Sequence, residues 1–248
     1  MGGGLRVTVW NEGVHERRDE AVRKVYPKGM GHQIAQYIEK QDGIASVRVA
    51  QLDDEGQGLT DSILENTDVM TWWGHTAHDK VDDENVDKVH QRVLDGMGLV
   101  VLHSGHMSKI FIRLMGTGCF LKWREIGEKE RLWVIDPSHP IVDGLPEYIE
   151  LPHTEMYGEH FDIPQPDQQV FISWFEGGEV FRSGCCWHRS KGKVFYFRPG
   201  HETLPIYYDE NVLKVIYNGV KWAAPHGVRD LVRGNVKPIE HVTPREAS

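Results

Sequence analysis

The sequence is poor in cysteine. Three cysteines stand among 248 residues, and two of them, Cys185 and Cys186, are adjacent. An odd count with no Cys-x-x-Cys spacing excludes a disulfide framework and a thiolate metal cluster, and it points to a reducing, cytoplasmic location. All three, Cys119 included, are expected to pack as small hydrophobes. Long apolar runs are missing too, so no segment reads as a membrane span. Gly2-Gly3-Gly4 leads straight into a strand with no apolar leader. Basic runs are absent, and a formal net charge of −9 argues against a nucleic-acid surface. What is abundant is histidine, with 14 residues, and tryptophan, with 8. Histidine ligates zinc-like metals and moves protons near neutral pH. Tryptophan lines sugar-sized pockets as well as filling cores.

The first half alternates strands and helices. Leu5 to Trp10, Ala45 to Ala50 and Asp68 to Trp73 read as strands, and Gly29 to Lys40 and Asp82 to Asp95 as amphipathic helices. His15 to Tyr26 reads as partly helical, and Thr60 as the cap of a short helix ending at Asn66. The key stretch is Gly98-Leu-Val-Val-Leu-His103-Ser104-Gly105-His106, an apolar strand that stops abruptly at polar residues before another helical pattern. The second half is richer in turns. A hairpin is expected across Leu121 to Asp136 around Gly127, then strands over 170–174, 180–187 and 193–197, then a helix from Asp209 to Trp222. The expected fold is a single α/β domain over residues 1–248, with a mainly parallel sheet, helices on both faces, an added antiparallel region and a polar tail over 225–248. That tail is expected to wrap the surface or to pair subunits of a symmetric oligomer.

Parallel strands end on one edge of a sheet, where ligands bind in open α/β folds. Three first-half strands end in polar clusters: Asn11-Glu12 with His15, Gly74-His75 with His78, and His103-Ser104 with His106. The segments His153-Thr-Glu155-Met-Tyr157 and Arg198-Pro-Gly-His201-Glu202 add candidates. Glu155, His201 and Ser104 are taken as catalytic, and His103, His106 and His153 as ligands of a divalent metal, zinc before others. Asn11, Glu12, Trp73, His75, Tyr157 and Glu202 are assigned to substrate. No nucleotide cofactor is expected. Trp72 and Trp73 are neighbours on a strand and face opposite ways, so one is expected at the site rim. Ser104 has two readings. It is either a nucleophile on a strand–helix elbow, with His201 as base, or the cap of the following helix. Against the elbow, Leu102 and His106 occupy the positions that Gly-x-Ser-x-Gly gives to glycine.

The chain resembles the ThuA-like, trehalose-utilisation family. The resemblance rests on Val7-Thr-Val-Trp-Asn-Glu12, Trp72-Trp-Gly-His75, Gly98 to His106, His153-Thr-Glu-Met-Tyr-Gly-Glu159, and Gly192-Lys-Val-Phe-Tyr-Phe-Arg-Pro-Gly-His201-Glu202. It implies a flavodoxin-like fold similar to class I glutamine amidotransferases, where the elbow residue is a cysteine and the late motif is His-Pro-Glu. Here the elbow residue reads as Ser104, and His201-Glu202 lacks the proline, so no glutaminase activity is expected without the attacking thiolate. The resemblance implies a role in disaccharide breakdown, on a small-molecule sugar such as trehalose or a keto derivative. A Ser104 hydrolase and a non-catalytic sugar-binding or partner protein are the alternatives.

Overall fold

The computed structural model describes residues 4–227 and 232–243. Among the described residues nine strands form one sheet: β1 (Leu5–Asn11), β2 (Ile44–Gln51), β3 (Val69–Trp73), β4 (Gly98–Leu102), β5 (Lys122–Val134), β6 (Tyr148–Gly158), β7 (Gln168–Phe175), β8 (Val180–Arg189) and β9 (Gly192–Phe197). The helices are α1 (Val14–Arg18), α2 (Glu20–Val25), α3 (Met30–Ile38), α4 (Asp61–Glu65), α5 (Asp83–Leu94), α6 (Lys109–Met115) and α7 (Glu210–Ala223). The sheet order is β2-β1-β3-β4-β9-β8-β7-β5-β6. From β2 to β9 the neighbours are parallel, and from β9 to β6 they are antiparallel.

The expectation of a mainly parallel sheet is therefore corrected. The sheet is mixed, and its antiparallel strands β5 to β8 are longer than most of the parallel ones. Helices do cover both faces. Along β4, Val100 and Leu102 join the layer that holds α3 and α7, through Ile34, Val212 and Ile216. Leu99 and Val101 join the layer that holds α5 and α6, through Val86, Val89 and Phe111. This alternation along one strand, with both sides dry, is what the unbroken apolar run encodes. Trp72 and Trp73 split between the two layers in the same way. Caps fix both a short and a long helix: at α4 Thr60 Oγ1 accepts the Ile63 N–H, and at α7 Asp209 accepts those of Asn211 and Val212.

Two features of the second half differ from expectation. Residues 122–134 form one continuous strand, not a hairpin. Gly127, at φ 72°, makes a bulge, and the pairing of β5 with β6 shifts register between Arg124 and Glu128. The buried Glu128 carboxylate accepts from Arg124 and from the Gly177 N–H, which fastens the bulge. The second feature is β6, which sequence patterning did not assign. Pro152 lies within it and is tolerated because β6 is the edge strand. In the tail, Arg233 donates to Ser190 Oγ, and residues 232–243 are exposed. The rest of the expected surface or subunit arm, at 228–231 and 244–248, lies outside the described residues.

The two halves of the sheet are tied by an ion pair between Arg198, just after β9, and Glu130 on β5, both wholly buried. The Arg198 guanidinium also donates to Thr154 Oγ1 at 3.0 Å and to the Glu155 carbonyl at 2.7 Å. Ser173 donates to Glu130. Removing one partner of such a pair strands a buried charge, which costs about 3–5 kcal/mol. Arg198→Met is expected to lose that much unfolding free energy in urea titrations, and Arg198→Met/Glu130→Met to recover most of it. A loss below about 1 kcal/mol in the single variant, within the range of exposed ion pairs, would contradict this role.

Candidate active site

The carboxyl ends of β1, β3, β4 and β9 meet at one rim, and β6 crosses beside them. The first group set by this geometry is His103. It follows β4 directly and is held at φ 48°, a left-handed conformation costly for a residue with a side chain. The elbow residue is thus His103, one position before the expected Ser104. Gly105 follows at the second position after it, where an added Cβ would lie 2.9 Å from Val101 Cγ1 and 3.1 Å from the Trp72 carbonyl oxygen. Ser104 does not cap the next helix either, because Ser108 does so by accepting the Phe111 N–H. Ser104 Oγ has no hydrogen-bond partner among the described residues.

His103 is gripped from two sides. Its Nδ1 lies 3.0 Å from the Arg198 carbonyl oxygen, and its own carbonyl accepts from the Tyr196 hydroxyl at 3.1 Å. A carbonyl only accepts, so Nδ1 carries the ring proton and Nε2 keeps its lone pair. That lone pair faces Glu155 Oε2 at 3.0 Å and the Tyr157 hydroxyl at 3.4 Å. Burial pulls the His103 imidazole well below its usual pKa, so the ring is neutral. Burial also pushes Glu155 up to about 7, although His201 and His75 oppose the shift. Near neutrality a proton on Glu155 turns two facing acceptors into donor and acceptor.

His201 is oriented by its own turn. The Thr203 N–H donates to His201 Nδ1 at 3.2 Å, which leaves the ring proton on Nε2. That Nε2–H points toward Glu125, at 3.4 Å, and Glu155, at 4.0 Å. Gly200 makes the turn possible at φ 148°, where a Cβ would meet the Tyr207 hydroxyl and lie 3.0 Å from His103 Cβ. His78 and His106 complete the floor, and burial lowers them to about 4 and about 3. His106 Nδ1 is 2.8 Å from the Cys119 carbonyl oxygen.

These groups open into a cleft of about 420 Å³, lined by His75, Glu155, Tyr157, His201 and the exposed Phe120 and Trp123. Two larger hollows, of about 620 and 530 Å³, lie elsewhere and are lined by none of the converging strand ends. Not every expected site residue reaches the cleft. His153 is exposed and bonds the Gly127 carbonyl on the β5 bulge, so His103, His106 and His153 do not gather as ligands. The Glu12 oxygens accept the N–H groups of His75, Thr76 and Ala77, so Glu12 shapes the loop instead of meeting substrate. Asn11 Oδ1 accepts the Gly13 N–H, and Trp73 is buried behind His15 and His75. Trp123, Phe120, Glu125 and Thr203 were not singled out from the sequence. Only the exposed aromatics on an otherwise polar stretch could have flagged the cleft mouth.

The raised Glu155 carboxyl has a consequence for stability. Its folded pKa lies above the ordinary 4.5, so below pH 4.5 it is neutral in both states and its ionisation has no effect on stability. Between pH 4.5 and about 7 the unfolded chain releases this proton while the folded state keeps it, so stability falls by about 3 kcal/mol across that window and stays lower above it. Glu155→Gln is therefore expected to match wild type in urea unfolding near pH 4 and to be more stable above pH 8. A difference independent of pH would contradict the assignment.

The sequence profile of the ThuA family, described as trehalose utilisation, matches residues 6–223. No curated protein sequence matches the chain. Among solved structures, a ThuA-like protein of Parabacteroides merdae shares 14% identity at TM-score 0.67, over 92% of this chain and 93% of its own. A cytoplasmic protein of Salmonella typhimurium shares 12% identity at TM-score 0.62, over 90% of this chain and 100% of its own. A glutamine amidotransferase of Thermotoga maritima shares 12% identity at TM-score 0.50, over 88% of this chain and 97% of its own, which extends the likeness of fold to that class. With the profile reaching all nine strands and every residue of the converging rim, the chain belongs to the ThuA, trehalose-utilisation family.

Proposed function

We propose that the cleft binds a keto form of a disaccharide such as trehalose and moves a proton at the carbon beside the carbonyl. The observation that carries this reading is the 3.0 Å approach of Glu155 Oε2 to an unprotonated His103 Nε2. A carboxyl poised near pH 7 gives and takes protons with equal ease, which is what general acid–base catalysis asks for. In its ionised form Glu155 takes the proton from the carbon next to the carbonyl. The electron pair of that C–H bond moves toward the carbonyl, and the growing negative charge on oxygen receives the His201 Nε2–H. To shift the carbonyl, Glu155 passes its proton to the former carbonyl carbon, while the hydroxyl on the neighbouring carbon returns a proton to His201 and becomes the new carbonyl. To eliminate, the enolate re-forms its carbonyl, a double bond forms to the next carbon, and the group expelled from that carbon takes the proton from Glu155. His103 holds the carboxyl in place and accepts from it whenever it is protonated.

The sugar ring has a matching surface. Trp123 and Phe120 are 64% and 62% exposed at the cleft mouth, and flat apolar faces of this kind suit the C–H faces of a pyranose. Family membership supports the substrate class. A Ser104 nucleophile lacks the hydrogen-bonded base such a role requires, since Ser104 Oγ is unpartnered among the described residues. A cytoplasmic location is in keeping with three free cysteines and with the description of the Salmonella neighbour. Among the described residues no helix is long and apolar enough to cross a membrane.

The test is hydrogen exchange. Keto-disaccharides incubated in D₂O with wild-type protein are expected to gain deuterium beside the carbonyl, read by NMR, while unoxidised trehalose stays unlabelled. Glu155→Gln is expected to slow exchange by a factor of about 10²–10⁴, with His201→Asn slowing it as well. Wild-type protein that labels no keto-disaccharide would overturn the reading.

A further inference from the structure

A second cluster lies at the same rim and takes no part in the proton transfer described. His15 on α1, His75 after β3 and Glu202 after β9 bring one ligand atom each within 4.8 Å of one another, the only such group among the described residues. His15 Nδ1 and His75 Nδ1 both lie 3.6 Å from Glu202 Oε1. Ligands bonded at 2.0–2.1 Å in a tetrahedral site are separated by about 3.3 Å, so these spacings need little adjustment. The two imidazoles also touch, His15 Nε2 to His75 Nδ1 at 2.7 Å. From these residues we infer a divalent-cation site, with His15, His75 and Glu202 as three ligands of a zinc-type ion and its fourth position open.

An independent observation points the same way. Glu202 is 5% exposed, and its Oε2 has no hydrogen-bond partner among the described residues. A buried carboxylate left this bare is costly unless a cation or a donor meets it. The surroundings are also those of a ligand set held in place. Glu12, itself buried, accepts the N–H groups of His75, Thr76 and Ala77 and so fixes the loop that aims His75. Two imidazoles and one carboxylate match the three-ligand sets of catalytic zinc centres. The site is not the one expected from His103, His106 and His153. Those three do not gather, because His153 is exposed and bonds the Gly127 carbonyl on the β5 bulge.

The site is contiguous with the cleft, because His75 lines both. A cation there would meet an oxygen of a bound sugar as a Lewis acid. The inference therefore deepens the acid–base reading, yet its test reads metal and not turnover, so the two can fail separately. Full-length protein purified without chelator is assayed for metal. Chelator-stripped protein is then titrated with zinc and with cobalt. The expected result is one ion per chain, and visible cobalt bands of a four-coordinate N/O site. Glu202→Gln and His75→Ala are expected to weaken zinc binding roughly 10-fold or more, and His153→Ala to leave it unchanged. On wild-type protein labelled with ¹⁵N-histidine, zinc is expected to shift the His15 and His75 ring nitrogens first, a readout that survives if a variant fails to fold. No saturable binding of either ion, binding undiminished in Glu202→Gln, or shifts confined to other histidines would each overturn the site.

Discussion

The buried pairing of Arg198 with Glu130 is the interaction on which the architecture and the chemistry both depend. Arg198 sits where the parallel half of the sheet ends and the antiparallel half begins. Its guanidinium reaches β5 through Glu130 and β6 through Thr154 and the Glu155 carbonyl. Its own carbonyl receives His103 Nδ1. One residue therefore fixes the distance between the two groups that share a proton, and it does so from the dry interior, where geometry is not softened by solvent. The charge pair is poor evidence for stability as such, because a well-packed apolar replacement can do as well. What it supplies is position.

Burial then decides which atom carries the proton. A carbonyl at Nδ1 sets the His103 tautomer, a low-dielectric setting keeps that ring neutral, and the same setting raises Glu155 to about 7. The Thr203 N–H sets the opposite tautomer on His201. Two imidazoles at one rim thus play opposite parts, one presenting a lone pair and the other a donor. No nucleophile is required, in keeping with a cysteine-free elbow. The fold is shared with a glutamine amidotransferase, and fold alone does not set the chemistry that the elbow residue, here His103, can carry.

Much of this was legible in the residues. The apolar run of β4 and the spacing of Val86, Val89 and Val93 placed strand and helix, and the polar strand ends placed the rim, because burial on two faces or one stripe leaves a direct mark on composition. What escaped was set by contacts distant in the chain. Gly127 looks like a hairpin turn, yet β6 arrives to pair with both flanks of it, and only then does the glycine become a bulge. A second register shift, between Glu128 and Glu130, breaks the alternation at Pro152 and His153, so His153 faces out although its spacing from Glu155 puts them on one side of a regular strand. The elbow was placed one residue late because a positive φ at His103 leaves no trace in the side-chain pattern. The ties that Arg198 makes were invisible for a simpler reason: Glu130 is 68 residues away.

The central claim is a specific protonation state: His103 neutral with its proton on Nδ1, facing a carboxyl that holds a proton below about pH 7. Nitrogen-15 NMR of histidine-labelled protein reads this directly. The account predicts a protonated Nδ1 and a bare Nε2 for His103 at pH 6, with conversion to imidazolium only well below the pH at which an ordinary histidine titrates. An Nε2–H tautomer, or a His103 that titrates near its ordinary pKa, would contradict it.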